Sequence, residues 1–152
     1  MDPGRFATSS RSQAPRAQTG WTPWQTTHHL DSEPVMRLSE ITKALDATVL
    51  GGDDKLAMDI TRCGASDLMS DILAGAADGS LLVTGLTTVQ AIRTASIAGV
   101  GAVVFVRGKK PAPEVIGIAA AQGMPILSSP YSMFVTCGRL HALGLTGLSG
   151  IR

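Results

Sequence analysis

Residues 102–106 read Ala-Val-Val-Phe-Val, a continuous apolar run that is followed at once by the basic segment Arg107-Gly108-Lys109-Lys110. A run without polar alternation is typical of a strand that is buried on both faces, and such strands belong to parallel sheets. A second run, Leu81-Leu82-Val83-Thr84, has the same character and is bounded by Gly79 and Gly85. The two runs predict buried strands of a mainly parallel sheet.

Helical patterns alternate with strand patterns along the rest of the chain. Thr87-x-x-Gln90 matches a capping box and predicts a helix to about Ala98, apolar on nearly all sides and therefore buried. Gly99 follows at the position where a glycine commonly ends a helix. The other predicted helices are 39–46, 66–73, 113–122 and 130–143, and the other predicted strands are 47–50, 58–63 and 125–128. This alternation implies βαβ units, so the predicted fold is an α/β three-layer sandwich with a mainly parallel β-sheet.

The first 35 residues differ in composition from the remainder. They hold four of the eight prolines, and Leu30 is their only Leu, Ile or Val before Val35. No period of 3.6 or 2 residues is present, so no element there can bury an apolar face. We expect residues 1–35 to be a disordered N-terminal extension, or a gene start placed too early, and residues 36–152 to form the folded domain.

Composition narrows the class of protein. A net charge of +1 argues against a nucleic-acid-binding protein, which usually carries a basic surplus. No apolar run is long enough for a membrane span, and two cysteines are too few for a disulfide framework. We therefore expect a cytoplasmic protein without nucleic-acid or membrane partners.

Several segments carry a resemblance to a known family. They follow the family's order over residues 37–144 and are Leu38-Ser39-Glu40-Ile41, Gly64-Ala65-Ser66-Asp67-Leu68-Met69-Ser70-Asp71-Ile72-Leu73, Ala98-Gly99-Val100-Gly101-Ala102-Val103-Val104, Gly123-Met124-Pro125-Ile126-Leu127-Ser128-Ser129 and Met133-Phe134-Val135-Thr136-Cys137-Gly138-Arg139-Leu140. Through them the chain resembles a stand-alone DRTGG domain. The most specific part is the Ser-Asp-Leu-x-Ser-Asp stretch at residues 66–71.

The resemblance implies a fold similar to the N-terminal domain of HPr kinase and a role in regulation or dimerisation without catalysis. DRTGG domains occur alone, in phosphotransacetylases and in CBS-containing pyrophosphatases, often in anaerobic energy metabolism. The implied partners are a second copy in a homodimer, a small-molecule or nucleotide ligand, and a metabolic enzyme or signalling protein. No cofactor is implied. In pyrophosphatases the CBS domains carry the adenine-nucleotide sites, so a nucleotide does not follow for this domain from the resemblance.

One departure from the family concerns its naming motif. Where relatives carry Thr-Gly-Gly, this chain has Thr61-Arg62-Cys63, with a glycine only at Gly64. If the family's glycines allow a ligand to approach the backbone, that ligand is altered or lost here.

Polar residues near the predicted strand ends are the candidate ligand-binding residues. Ligands of open α/β sheets bind beyond the carboxyl ends of the strands. The expected ligand-binding residues are Thr61, Ser66, Asp67, Thr84 and Ser128. For Ser66 and Asp67, a simple role as helix cap and first-turn acid is the alternative.

Other functions have weaker support in the sequence. A kinase or transferase relative would need a phosphate-binding loop, but no Ser or Thr follows Gly108-Lys109 and no glycine lies five residues before it. Cys137 and His141 share a helix face and, with Cys63, could form part of a metal site, but buried cysteines commonly have no metal. We predict no catalytic residue and no metal. An enzyme fragment and a purely structural interaction domain remain as alternatives.

Overall fold

The structure, a computed structural model, describes residues 35–148 and is built on a six-stranded sheet. The strand order is β2-β7-β6-β5-β4-β8, and β1 and β3 form a separate antiparallel pair. The strands are β1 Met36–Arg37, β2 Thr48–Gly51, β3 Asp59–Ile60, β4 Arg62–Ala65, β5 Leu81–Thr84, β6 Ala102–Phe105, β7 Ile126–Ser128 and β8 Thr146–Gly147. The helices are α1 Leu38–Ala44, α2 Met69–Gly75, α3 Val89–Ile97, α4 Pro113–Ala121 and α5 Met133–Ala142.

Most of the sheet is parallel. Strands β4 to β7 pair in parallel, β8 joins β4 in parallel, and only the edge strand β2 runs antiparallel to its neighbour β7. Every residue of β5 and of β6 is buried. The predicted mainly parallel sheet is confirmed, and its two apolar runs are its central strands.

Alternate residues of the central strands pack into two separate apolar clusters. Val83 and Val104 join the cluster that α1 and α5 complete through Leu38, Ile41 and Leu140. Their neighbours Leu82, Val103 and Phe105 join the cluster that α2, α3 and α4 complete through Ile72, Ile92 and Val115. Because strand side chains alternate between faces, each face needs its own helical layer. The three-layer sandwich is therefore confirmed.

The predicted strand 58–63 is two strands in the structure. β3 ends at Ile60, the chain turns at Thr61, and β4 begins at Arg62. β3 pairs with β1, whereas β4 belongs to the main sheet. The adjacent polar residues Thr61 and Arg62 interrupt the apolar-polar alternation at this point, but the pattern does not reveal that the pairing partner changes. The short strands β1 and β8 were not predicted either.

The structure also differs from the sequence prediction at the starts of α3 and α5 and in the burial of α3. The first-turn cap of α3 is Thr88, whose Oγ1 accepts from the amide of Ala91 at 3.2 Å, and not Thr87. The cap of α5 is Ser132, which accepts from the amide of Val135. Helix α3 is not buried on all sides: its Ile97 side chain is 79% exposed. Its small and apolar residues cover the sheet with one face only.

The glycine after α3 was predicted correctly. Gly99 has a φ of +80°, a conformation that ends helices and that other residues adopt only with strain. A Cβ at this position would also collide with the carboxylate of Asp78. Gly99 therefore fixes both the end of α3 and the entry into β6.

The predicted N-terminal extension lies outside the described residues, apart from Val35. Within residues 35–148 no helix has the length and apolar character needed to cross a membrane.

A cap substitution tests the observed start of α3. We expect Thr88→Ala to lower the free energy of unfolding by about 1 kcal/mol, because it removes the acceptor for the Ala91 amide. The matched control, Thr87→Ala, should change it by less than about 0.5 kcal/mol. Urea unfolding of both variants measures the difference, and a larger loss for Thr87→Ala would contradict the observed cap.

Candidate functional site

The carboxyl ends of β4, β5, β6 and β7 lie along one edge of the sheet because these strands run parallel. Four of the predicted ligand-binding residues are at this edge, namely Ser66, Asp67, Thr84 and Ser128. Thr61 is not, because it precedes β4 and therefore lies at the opposite, amino edge. Thr61 therefore lies away from the other four residues, contrary to the prediction that all five line one pocket.

Asp67 connects the ends of two strands. Its Oδ1 accepts from the hydroxyl of Thr84 at 3.0 Å and from the backbone amide of Gly85 at 2.6 Å. Thr84 is fully buried, and its Oγ1 accepts in turn from the amide of Leu86. A carboxylate that accepts two hydrogen bonds holds its donors firmly. Asp67 thus ties the loop after β4 to the end of β5.

The predicted capping role of Ser66 and Asp67 is wrong. Helix α2 begins only at Met69, and no side chain caps it. Ser66 Oγ instead accepts from the amide of Leu68 at 3.0 Å and closes a local turn. The turn carries the chain past the end of the sheet, which is why Asp67 reaches β5.

Lys109 and Ser128 join the next two strand ends to the same network. Lys109 Nζ donates to the carbonyl of Gly85 at 2.7 Å, and Ser128 Oγ donates to the carbonyl of Lys109 at 2.8 Å. Ser128 itself is buried at the end of β7. The loop after β6 is therefore fastened to β5 on one side and to β7 on the other.

Arg107 begins this loop in a strained backbone conformation. Its φ is +60°, in the left-handed region that costs residues with a Cβ roughly 1–2 kcal/mol. The backbone amides of Arg107 and Gly108 donate to the carbonyls of Tyr131 and Ser129, each at 2.7 Å. These bonds hold the strained residue, and strain of this kind concentrates at functional sites.

A small space above Gly85 is bordered by two opposite charges. A Cβ on Gly85 would lie 3.4 Å from both carboxylate oxygens of Asp67 and 3.5 Å from Nη2 of Arg107. Gly85 is buried and has no side chain, so the two charged groups converge over its backbone with room for no more than a methyl group between them. We call Asp67, Gly85 and Arg107 the Gly85 cradle.

The groups of the Gly85 cradle are available for binding. Both charged side chains are exposed, and in the described part of the chain the Arg107 side chain has no hydrogen-bond or ion-pair partner. A guanidinium binds anionic groups through paired donors, and a carboxylate accepts from hydroxyls or amines. The cradle is therefore suited to a ligand that carries both an anionic group and donor groups.

Sequence reasoning did not name Gly85 or Arg107 among the expected ligand-binding residues. The basic run at residues 107–110 lies at a predicted strand end, where it is usually a solvated loop and alternatively a clamp for an acidic ligand or partner. Nothing in the sequence indicated that Arg107 has a positive φ, because residues in left-handed turns are usually glycine or asparagine.

Gly64, the residue nearest to the family's missing glycines, has a structural role. The amide of Leu148 donates to the carbonyl of Cys63 at 2.9 Å, which continues the pairing of β8 with β4. A Cβ on Gly64 would collide with the Leu148 side chain. The group that approaches the Gly64 backbone closely is therefore the side chain of Leu148 from the same chain.

Two cavities adjoin β4, one on each face of the strand. The larger, about 480 Å³, contains Ser66 and Asp71 in its lining and lies beside α2. The smaller, about 240 Å³, lies beside α5 and is lined by Cys63, Cys137 and His141 among others. Within residues 35–148 no three His, Cys, Asp or Glu side chains are grouped so as to hold a metal ion.

Burial keeps the two thiols protonated. It raises the pKa of Cys63 to about 12, with a smaller contribution from the nearby Cys137 thiol, and it also raises the pKa of Cys137. A thiol with a raised pKa is a poor nucleophile at neutral pH.

The network around Asp67 makes a testable contribution to stability. We expect Asp67→Ala to lower the free energy of unfolding by about 1–3 kcal/mol, because the buried Thr84 hydroxyl and the Gly85 amide lose their acceptor. Asp54→Ala, which removes an exposed acid of the turn after β2, is the control and should cost less than about 0.5 kcal/mol. Equal effects of the two changes in urea unfolding would contradict the network.

The raised pKa of Cys63 predicts a loss of stability in alkali. Above the ordinary thiol pKa of 9.0 the unfolded chain releases this proton, whereas the folded chain keeps it up to about pH 12. The unfolded state then binds fewer protons, so the free energy of unfolding falls as the pH rises from 9.0 towards 12. Under reducing conditions, Cys63→Ser should fall less steeply than the native protein over this range. Parallel pH profiles would contradict the assignment.

Comparison with known proteins places the chain in a family. The model of the DRTGG domain matches residues 40–143. Among solved structures, the chain is similar to the CBS and DRTGG domains of the regulatory region of Clostridium perfringens pyrophosphatase, complexed with the activator diadenosine tetraphosphate. The TM-score is 0.60 at 15% identity, over 72% of this chain and 47% of that one, so this chain spans about half of that structure.

A search of curated proteins found no significant match. At 15% identity the structural likeness shows the fold alone. The family match, however, extends over most of the chain, from within α1 to the end of α5. This chain belongs to the DRTGG domain family.

Proposed function

We propose that this chain is a non-catalytic regulatory module that senses an anionic small molecule at the Gly85 cradle. The observation that carries the proposal is the convergence of the exposed Asp67 carboxylate and the exposed Arg107 guanidinium over Gly85, at the carboxyl edge of a parallel sheet. Ligands of open α/β sheets bind at this edge. Asp67 and Arg107 contact the ligand, while Thr84, Lys109 and Ser128 hold the loops in position.

A nucleotide fits the two charges of the cradle. Its phosphate would bind the planar fork of Arg107, and its ribose hydroxyls would donate to Asp67. The carboxylate repels phosphate, so the cradle favours ligands with separated anionic and hydroxyl groups over inorganic phosphate. The activator bound to the pyrophosphatase regulatory region is also a nucleotide, which supports testing this class first.

We further propose that this module acts in the cytoplasm as a homodimer and that it transmits ligand binding to a metabolic enzyme or signalling protein. Large apolar side chains on the helical layer support a partner surface: Leu73 on α2 is 53% exposed and Ile97 on the adjoining α3 is 79% exposed.

A thermal-shift panel on the full chain tests the ligand proposal. The probes are ATP, ADP, GTP, diadenosine tetraphosphate and inorganic phosphate. A nucleotide at about 100 times its dissociation constant should add about 2.7 kcal/mol, which raises the melting temperature by roughly 10 °C. Arg107→Gly should abolish this rise yet change the unliganded stability by less than about 1 kcal/mol, because glycine accepts the left-handed backbone.

The control is Arg93→Gln, which changes an exposed arginine of α3 that is outside the Gly85 cradle. This variant should keep the full nucleotide shift. A nucleotide shift that survives Arg107→Gly would place the ligand elsewhere. No shift with any probe would favour a docking or dimerisation module without a nucleotide site.

A further inference from the structure

The only two cysteines of the sequence border the same cavity. Cys63 lies on β4 and Cys137 on α5, and both line the space of about 240 Å³ between these elements. Both also pack against the same apolar cluster of the core. Two thiols that are distant in sequence are thus brought together on facing elements, and both are free.

The residues that line the cavity limit the reactions that are open to the two thiols. Besides the two sulfurs it is formed mainly by small and apolar residues, with His141 as the only other titratable side chain. The three side chains are not grouped as metal ligands within the described residues. No cation beside Cys63 lowers its pKa, since burial and Cys137 both raise it. A catalytic nucleophile or a metal site is therefore not favoured, whereas a slow oxidation that joins the two thiols needs only an external oxidant.

We propose that Cys63 and Cys137 form a reversible intramolecular disulfide under peroxide, so that oxidation fastens helix α5 to strand β4. The cavity gives both side chains space to rotate, and the bond forms where their Cβ atoms come within about 4 Å with a Cβ–S–S–Cβ dihedral of roughly 90°. The reduced and the bonded forms would differ in the freedom of α5 to move relative to the sheet. This proposal does not depend on the Gly85 cradle.

The reaction balances with hydrogen peroxide as the oxidant. Cys137, the less deeply buried thiol, reacts first and slowly, because its raised pKa leaves only a small thiolate fraction at neutral pH. This thiolate attacks one peroxide oxygen, the O–O bond breaks, and the leaving hydroxide takes up the thiol proton, so that a sulfenic acid and one water form. The thiolate fraction of Cys63 then attacks the Cys137 sulfur, the S–O bond breaks, the S–S bond forms, and the leaving hydroxide takes up the Cys63 proton as a second water. Two thiols lose two electrons and two protons, and one peroxide is reduced to two waters. Dithiothreitol reverses the step by thiol–disulfide exchange.

Mass spectrometry of the full chain tests the proposal. After treatment with hydrogen peroxide, a non-reducing tryptic digest should contain one cross-linked species that joins the Cys63 peptide to the Cys137 peptide and lacks two hydrogen atoms. The oxidised protein should stay monomeric in non-reducing denaturing electrophoresis. Its melting temperature should rise by roughly 10 °C or more, because the bond closes a long loop, and dithiothreitol should reverse the rise.

Single-cysteine variants supply the controls. Cys63→Ser and Cys137→Ser should each lose the cross-linked species and the rise in melting temperature. A native protein in which Cys137 is oxidised alone, or in which both thiols remain free, would overturn the proposal. A disulfide that joins two chains would overturn it equally, and electrophoresis separates this outcome from the intramolecular bond.

Discussion

The complete burial of β5 and β6 is the constraint on which the rest of the structure depends. All eight residues of these strands are buried, and their side chains alternate between two apolar clusters. Each face of the sheet must therefore be covered, and the connections between parallel strands must be long enough to include a helix. This arrangement brings the ends of four parallel strands to one edge, where their loops meet.

The meeting of these loops explains the candidate site. Asp67 leaves the end of β4, Gly85 follows β5, and Arg107 follows β6, so three elements contribute one residue each. Hydrogen bonds from Thr84, Lys109 and Ser128 fix the loops relative to one another. The strain at Arg107 is tolerated because the backbone on both sides is held by β5 and by the loop after β7.

The sequence predicted the parts of the fold that follow from strong local patterns. The runs at residues 81–84 and 102–106 identified the central strands, and the glycine at Gly99 identified a helix end. The break at Thr61 was not predictable, because it depends on which strand each segment pairs with, and β1 and β8 are too short for a pattern. Asp67 was predicted as a ligand-binding residue, which stays a prediction, and its role as a link between strands depends on tertiary contacts that no local spacing reveals.

The most direct test of the Gly85 cradle is a titration of the isotope-labelled full chain with ATP, followed through the backbone amide resonances. The account predicts that the largest shifts occur at the amides of Gly85, Leu86 and Arg107, where the loops after β5 and β6 meet, and that Arg62 and Cys63 near the opposite edge stay unchanged. Shifts centred on residues 61–63, or no shift at any amide, would contradict it.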